Sequence, residues 1–151
     1  MLVIGDRPLT ISDVVKVARQ RQRVALSKEA ERKIAMSRVW VDKIMESERP
    51  VYGISTGFGE LSSVWIPPEN RERLQHNLIL SHCTGVGSLL PEDVVRAVML
   101  LRVNSLSFGY SGIRLETVQA LLALINQDIC PAIPCQGSVG ASGDLAPLAH
   151  M

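Results

Sequence analysis

Neither sign of charge is in excess: 16 Lys and Arg stand against 15 Asp and Glu, for a formal net charge of +1. A nucleic-acid or membrane-surface binder normally carries a basic block or stripe, and none is present, so neither kind of partner is expected. The nearest approach is Arg19, Arg21 and Arg23, which reads as a solvated turn between two elements. Long apolar runs are missing too. No segment reaches the roughly eighteen uninterrupted apolar residues of a membrane span. The opening Met-Leu-Val-Ile-Gly-Asp-Arg has neither the basic head nor the long apolar middle of a secretory signal, so a cytoplasmic location is expected. Cysteines number three, Cys83, Cys130 and Cys135, and form no tight metal-binding cluster. Cys130 and Cys135 flank Pro131 and Pro134 and could lie close enough to bridge, but free thiols are the expectation in a reducing compartment.

What remains is an ordinary globular composition, 46% hydrophobic and 21% charged, in 151 residues, enough for one domain with its own core. The periodicity is mostly helical, so the fold class is mainly α, with short extended segments and Gly-rich loops. Ser12 and Asp13 open a short helix through Val14, Val17 and Ala18, and Val24-Ala25-Leu26 is extended. Ser27 caps a helix running to about Glu48, with Ile34, Trp40, Val41, Ile44 and Met45 on its apolar face, and Pro50 ends it. Pro67 and Pro68 start a second long helix, with Leu74, Leu78 and Ser81 on one face. Pro91, Glu92 and Asp93 start a third, in which Val94, Val98, Leu101 and Ser105 form a row and Gly109 supplies the stop. A fourth spans about Leu115 to Asn126, with Val118, Leu121, Leu122 and Ile125 inward. Residues 52 to 63 are an irregular Gly-rich loop, Cys130 to Cys135 a Pro-rich connector, and Asp144 to Leu148 a helix start. No repeat or linker divides the chain, so residues 1–151 are taken as one domain.

The segment richest in chemistry runs Gly137-Ser138-Val139-Gly140-Ala141-Ser142-Gly143-Asp144-Leu145-Ala146-Pro147-Leu148. If a fold compresses Ala141-Ser142-Gly143, the amide nitrogen of Gly143 can attack the carbonyl carbon of Ala141 and close a five-membered ring. Glycine has no Cβ to oppose that turn, and Ala141 is small enough to leave the approach open. One water leaves as the imidazolone forms. A second leaves with the Ser142 hydroxyl, and that side chain becomes an exocyclic methylene. The product, 4-methylidene-imidazol-5-one, is an electrophile that no unmodified side chain supplies. Taken alone, the tripeptide reads first as a small-residue loop leading into a helix, with Asp144 as its cap or first-turn acid. Other chemistries fit less well. Neither Gly-rich loop ends in the Gly-Lys-Ser/Thr of a phosphate loop. The run from Gly140 to Gly143 lacks the closing glycine of a nucleophile elbow, where Asp144 stands instead. No Cys/His spacing matches a zinc site, and no metal is expected.

Those twelve residues resemble the signature of the aromatic amino-acid ammonia-lyase family, Asp144 and Pro147 included. Two further motifs carry the resemblance, which extends from about Leu9 onward. Val51-Tyr52-Gly53-Ile54-Ser55-Thr56-Gly57-Phe58-Gly59 looks like the family's active-site loop. Leu80-Ser81-His82, followed by Cys83-Thr84-Gly85-Val86-Gly87, is similar to the histidine ammonia-lyases within it.

The resemblance implies the N-terminal helical domain of the ammonia-lyase fold, ending just after the signature, with the central bundle of long helices missing. It implies elimination of ammonia from L-histidine to give trans-urocanate. Ala141, Ser142 and Gly143 would form the electrophile, the only cofactor, and Asp144 would assist cyclisation or orient the ring. Tyr52 is implied as a catalytic acid or base. Its pKa starts at about 10, so action as a base near neutrality needs nearby positive charge or helix N-termini. His82 would select the substrate side chain by exchanging a hydrogen bond with its imidazole. Gly59 would line the pocket, where a missing side chain permits close approach. Without the resemblance, Tyr52 reads as a half-buried aromatic, Gly59 as a turn residue and His82 as a helix-end residue. His76 and His150 receive no role. The intact enzyme is implied to be a homotetramer acting on a small amino acid. A tyrosine ammonia-lyase, an aminomutase with the same electrophile, and a non-catalytic helical assembly module are the alternatives. The chain alone is expected to be inactive, because groups for the substrate carboxylate are absent from it. Its Ala141–Gly143 loop is expected to stay uncyclised and displaced, and bare apolar helix faces to drive self-association.

Overall fold

The computed structural model describes residues 1–47, 49–139 and 145–151. In order they form β1 (Leu2–Ile4), α1 (Ile11–Gln20), β2 (Val24–Leu26), α2 (Lys28–Glu46), a 3-10 turn (Gly59–Leu61), α3 (Pro68–His82), β3 (Val86–Leu89), α4 (Glu92–Ser107), α5 (Leu115–Asn126), β4 (Pro134–Gln136) and α6 (Leu145–His150). Helix dominates, as the periodicity predicts.

Helix starts follow capping chemistry. α1 begins at Ile11 rather than Ser12, because Thr10 is its cap. The Asp13 amide donates to Thr10 Oγ1 at 3.2 Å, and the Thr10 amide donates to the Asp13 carboxylate at 3.0 Å. Two Arg7 nitrogens add hydrogen bonds of 2.7 and 2.9 Å. They, with the Thr10 donors, hold the Asp13 carboxyl well below the usual carboxylate range. Ser27 caps α2 as expected, accepting from the Ala30 amide at 3.1 Å. Pro68 opens α3 in its first turn, where no intrahelical N–H is needed.

The short strands pair in two separate two-stranded sheets. β1 runs parallel to β2 with Leu2 opposite Val24 and Ile4 opposite Leu26. Asn126, at the end of α5, closes the β2 edge by accepting from the Val24 amide and donating to its carbonyl, both at 2.8 Å. β3 runs antiparallel to β4, so the Pro-rich connector and the turn after α3 form one ribbon.

α4 lies at the centre, against α1, α5, α2 and β1. Its buried row is Val95, Met99, Leu100, Val103 and Leu106. This corrects the row expected from the sequence: Val94, Leu101 and Ser105 are exposed. Both rows satisfy helical spacing, and the packed one contains a charge. Arg96 is 1% exposed. It donates to the carbonyls of Val17 and Ile125 near the ends of α1 and α5, and to Asp128 at 2.8 Å. Helix-end carbonyls lack intrahelical partners, so a buried guanidinium there satisfies them while its own donors are met. Val118, Leu122 and Ile125 of α5 are buried as expected, with Leu121 packed at the core margin. Trp40 is a second correction. It stands 64% exposed with the Lys43 ammonium 4.9 Å from its ring, because only Ala30 and Ile34 of α2 are fully buried. Arg19 and Arg21 are exposed, as a solvated turn should be, and pair with Asp93 at 3.0 Å and with Glu92 at 3.1 Å. No described helix is long and apolar enough to cross a membrane.

Candidate active site

The loop after α2 is fastened from inside. Ser55, 1% exposed, accepts from the Val51 amide at 2.9 Å and donates to the Arg49 carbonyl at 2.7 Å. The Ile66 amide donates back to the Ser55 carbonyl at 2.9 Å, and Thr56 bridges Trp65. Arg71 of α3 then anchors the loop's exit. Its Nε donates to the Ile66 carbonyl at 3.0 Å, its Nη1 to the Met45 carbonyl of α2 at 3.1 Å. Ser55, Thr56 and Arg71 are the structural fasteners that sequence reasoning missed. Ser55 and Thr56 sit inside a motif that could have flagged them; Arg71 carries no local signal.

Tyr52 and Gly59 are presented by this loop. Tyr52 is 63% exposed, not half-buried, and its ring meets Phe58 edge-on with centroids 5.9 Å apart. Gly59 begins the 3-10 turn at φ +58°, and a Cβ there would meet nothing within 4 Å. Backbone conformation, rather than crowding within this chain, is what favours glycine at this position.

His82 is the last residue of α3 and is half-buried. Its Nδ1 lies 2.8 Å from the Leu78 carbonyl and 2.9 Å from Ser81 Oγ. A carbonyl only accepts, so Nδ1 carries the proton and Nε2 of the neutral ring is an acceptor.

Immediately after His82 the chain turns and meets α6. The Gly85 amide donates to His150 Nε2 at 3.0 Å, and His150 Nδ1 lies 3.2 Å from Cys83 Sγ. Gly137, just beyond β4, approaches the same place: a Cβ on it would lie 3.0 Å from Gly85 Cα and 3.3 Å from the Ala146 Cβ. Ala141, Ser142, Gly143 and Asp144 lie outside the described residues, as does the expected displacement of their loop. Their flanks, Gly137 and Ala146, are in contact. α6 follows, with Pro147 in its first turn, where its missing N–H leaves no bond unmade. The structure thus brings His82's turn and both flanks of the signature together. Tyr52 and Gly59 belong to the other loop, held by its own contacts.

Residues 9–151 match the model of the family described as aromatic amino acid lyase. The chain belongs to that family. The matched span begins at Leu9, in agreement with a resemblance that extends from about that residue onward. Relatives of this chain include the histidine ammonia-lyase of Caldanaerobacter subterraneus subsp. tengcongensis, 56% identical over 150 residues. That alignment covers 99% of this chain and 30% of that protein. The histidine ammonia-lyase of Deinococcus radiodurans is 50% identical, covering 99% of this chain and 28% of its own length. The chain therefore spans about 30% of the length of the curated relatives it matches. Among solved structures, the histidine ammonia-lyase of Trypanosoma cruzi superposes with a TM-score of 0.87 at 41% identity, covering 99% of this chain and 28% of that one. A tyrosine aminomutase from Streptomyces globisporus gives 0.91 at 38%, with the same coverage. The fold is thus that of the N-terminal part of the ammonia-lyases and aminomutases.

In this chain all three cysteines are free thiols, so Cys130 and Cys135 are not bridged. Among the described residues no group of three or more His, Cys, Asp or Glu side chains could hold a metal ion.

Proposed function

We propose that this chain is the N-terminal portion of a histidine ammonia-lyase, which eliminates ammonia from L-histidine to give trans-urocanate. One observation carries the reading: the turn following His82 and the two flanks of Ala141-Ser142-Gly143 meet at Gly85. The residue proposed to read the substrate ring and the tripeptide proposed to form the electrophile then share one scaffold. The tripeptide has the atoms that a methylidene-imidazolone needs: the Gly143 amide nitrogen, the Ala141 carbonyl carbon and the Ser142 hydroxyl. Once formed, that group supplies an electrophilic carbon for the substrate amine.

The chain's own residues take the remaining roles. His82 Nε2, an acceptor, receives the N–H of the substrate imidazole. Tyr52 extends its ring from the fastened loop, and its phenolate oxygen takes the β-proton to become the hydroxyl. Gly59 leaves the loop surface open beside it. Asp144 orients the tripeptide. The exposed apolar side chains Ile79, Leu80, Val86 and Leu89 are available for the remainder of the enzyme to cover. The intact enzyme is proposed to be a cytoplasmic homotetramer, in keeping with the free thiols. The fold does not separate histidine from tyrosine as substrate, because the aminomutase superposes as well. Sequence favours histidine: the histidine enzymes are the more similar.

The test is turnover by the full-length protein that contains this chain, given L-histidine or L-tyrosine in parallel. Urocanate from histidine is expected, with little product from tyrosine. Preferential release of the tyrosine-derived acid, or of a β-amino acid, overturns the assignment. The 151-residue chain alone is expected to yield no urocanate.

A further inference from the structure

We infer that His150 is a positioning residue that clamps the base of the electrophile loop, a role that rests on the ammonia-lyase reading above. α6 spans Leu145–His150, and its last residue bonds to the turn after His82.

Both ring nitrogens of His150 are used there. The Gly85 amide donates to Nε2 at 3.0 Å, so Nε2 is unprotonated and the ring proton sits on Nδ1. Nδ1 lies 3.2 Å from Cys83 Sγ, which accepts from it. One imidazole thus holds two residues of a single turn, the turn that begins directly after His82. Gly85 accommodates the ring only because it has no side chain: a Cβ would lie 2.9 Å from His150 Nε2 and 3.1 Å from the Pro134 Cβ. Gly137, on the entry side of the loop, also packs on Gly85, with its own absent Cβ 3.0 Å from Gly85 Cα. The chain enters the loop at Gly137 and leaves it at Ala146, and Gly85 and His150 hold those two points in contact.

A closed base fixes the two points, Gly137 and Ala146, between which the tripeptide lies in the sequence. Ring closure between Gly143 and Ala141 needs a near-attack geometry, and small displacements of reacting atoms are expensive in rate. Cyclisation and the placement of the product relative to His82 therefore both depend on the clamp. His150 touches neither substrate nor the reacting atoms in this role.

The test uses the full-length enzyme and three variants. His150→Leu removes the acceptor. His150→Gln keeps an acceptor at similar reach. Gly85→Ala displaces the ring by filling the gap beside it. Three quantities are read: amide exchange at Gly85, the fraction of the 141–143 peptide that has lost two waters, and kcat and KM for histidine. For His150→Leu the expected results are Gly85 exchange faster by about tenfold or more, a growing unmodified fraction, and kcat lower by about tenfold or more. KM should move far less, because His82 itself is intact. His150→Gln should recover most of the loss, which a role in bulk packing alone would not produce. Amides of α4 and α5 should stay protected, separating loss of the clamp from unfolding. If His150→Leu does not fold, Gly85→Ala is read in the same way. Unchanged Gly85 exchange, or complete dehydration with unchanged kcat, overturns the clamp. If the parent enzyme shows neither dehydration nor urocanate, the ammonia-lyase reading fails. Exchange at Gly85 in the variants then still decides whether His150 clamps the loop.

Discussion

Tyr52→Phe separates catalysis from structure at the residue proposed to move the β-proton. The change removes one hydroxyl and leaves the ring. Tyr52 is 63% exposed, and its edge contact with Phe58, at 5.9 Å between centroids, involves the ring alone. Folding should therefore change little, within about 0.5 kcal/mol, as for surface substitutions that break no special feature. Catalysis should change much more. Losing a positioned acid or base typically lowers the rate by about 10²–10⁴. At about 1.4 kcal/mol per tenfold, that raises the barrier by roughly 2.8–5.6 kcal/mol. The assay is urocanate formation by the full-length enzyme, paired with thermal melting and with the mass of the 141–143 peptide. The melt and the mass should match the parent while the rate falls. Retention of most activity would assign Tyr52 to packing. A low rate accompanied by an unmodified tripeptide would mean that Tyr52 acts in electrophile formation instead.

Three other outcomes follow from particular contacts. His82→Leu should lower kcat/KM for histidine by the equivalent of about 1–3 kcal/mol, roughly 5- to 150-fold, with folding retained; unchanged kinetics would remove His82 from substrate recognition. Arg96→Met should strand the Val17 carbonyl, at about 1–3 kcal/mol for a buried acceptor, while the Ile125 carbonyl keeps the Asp128 amide at 3.5 Å. Asp128 keeps a partner in Arg21 at 2.9 Å, so a stranded carboxylate should not add to this, and a urea midpoint shifted by less than the equivalent of 1 kcal/mol would refute it. The third concerns pH. Arg7 and Thr10 depress the folded-state pKa of Asp13, so its contribution is present above the unfolded-state value near 4 and is lost as pH falls below it. Asp13→Asn should flatten the parent's loss of stability on acidification below about pH 4, and parallel acid-melting profiles would contradict that assignment.

Local signals in the sequence locate most of the helices. Ser27, Pro68 and the row Val118, Leu122 and Ile125 each act within one or two turns, so capping and period alone find them. Long-range pairing hides the rest. Three residues such as Leu2–Ile4 become a strand only because β2 lies beside them. The buried face of α4 is ambiguous locally because apolar residues at helical spacing occur in both rows. Arg96 gives the packed row the look of a solvent face, and only the distant Val17 and Ile125 carbonyls make it a core residue. Trp40 stands out because α2 is covered mainly at Ala30 and Ile34. In the candidate site, Tyr52, His82 and the Ala141–Gly143 signature are visible as motifs. His150 is not, since its significance lies in a bond to Gly85, 65 residues away.

The central claim, that Ala141-Ser142-Gly143 becomes the electrophile of a histidine ammonia-lyase, is tested most directly by mass. The full-length active enzyme should be lighter than its translated sequence by two waters. Digestion should confine the deficit to the peptide holding residues 141–143, and Ser142→Ala should abolish the second dehydration along with turnover. An active enzyme of unchanged mass, with that peptide intact, would contradict the account.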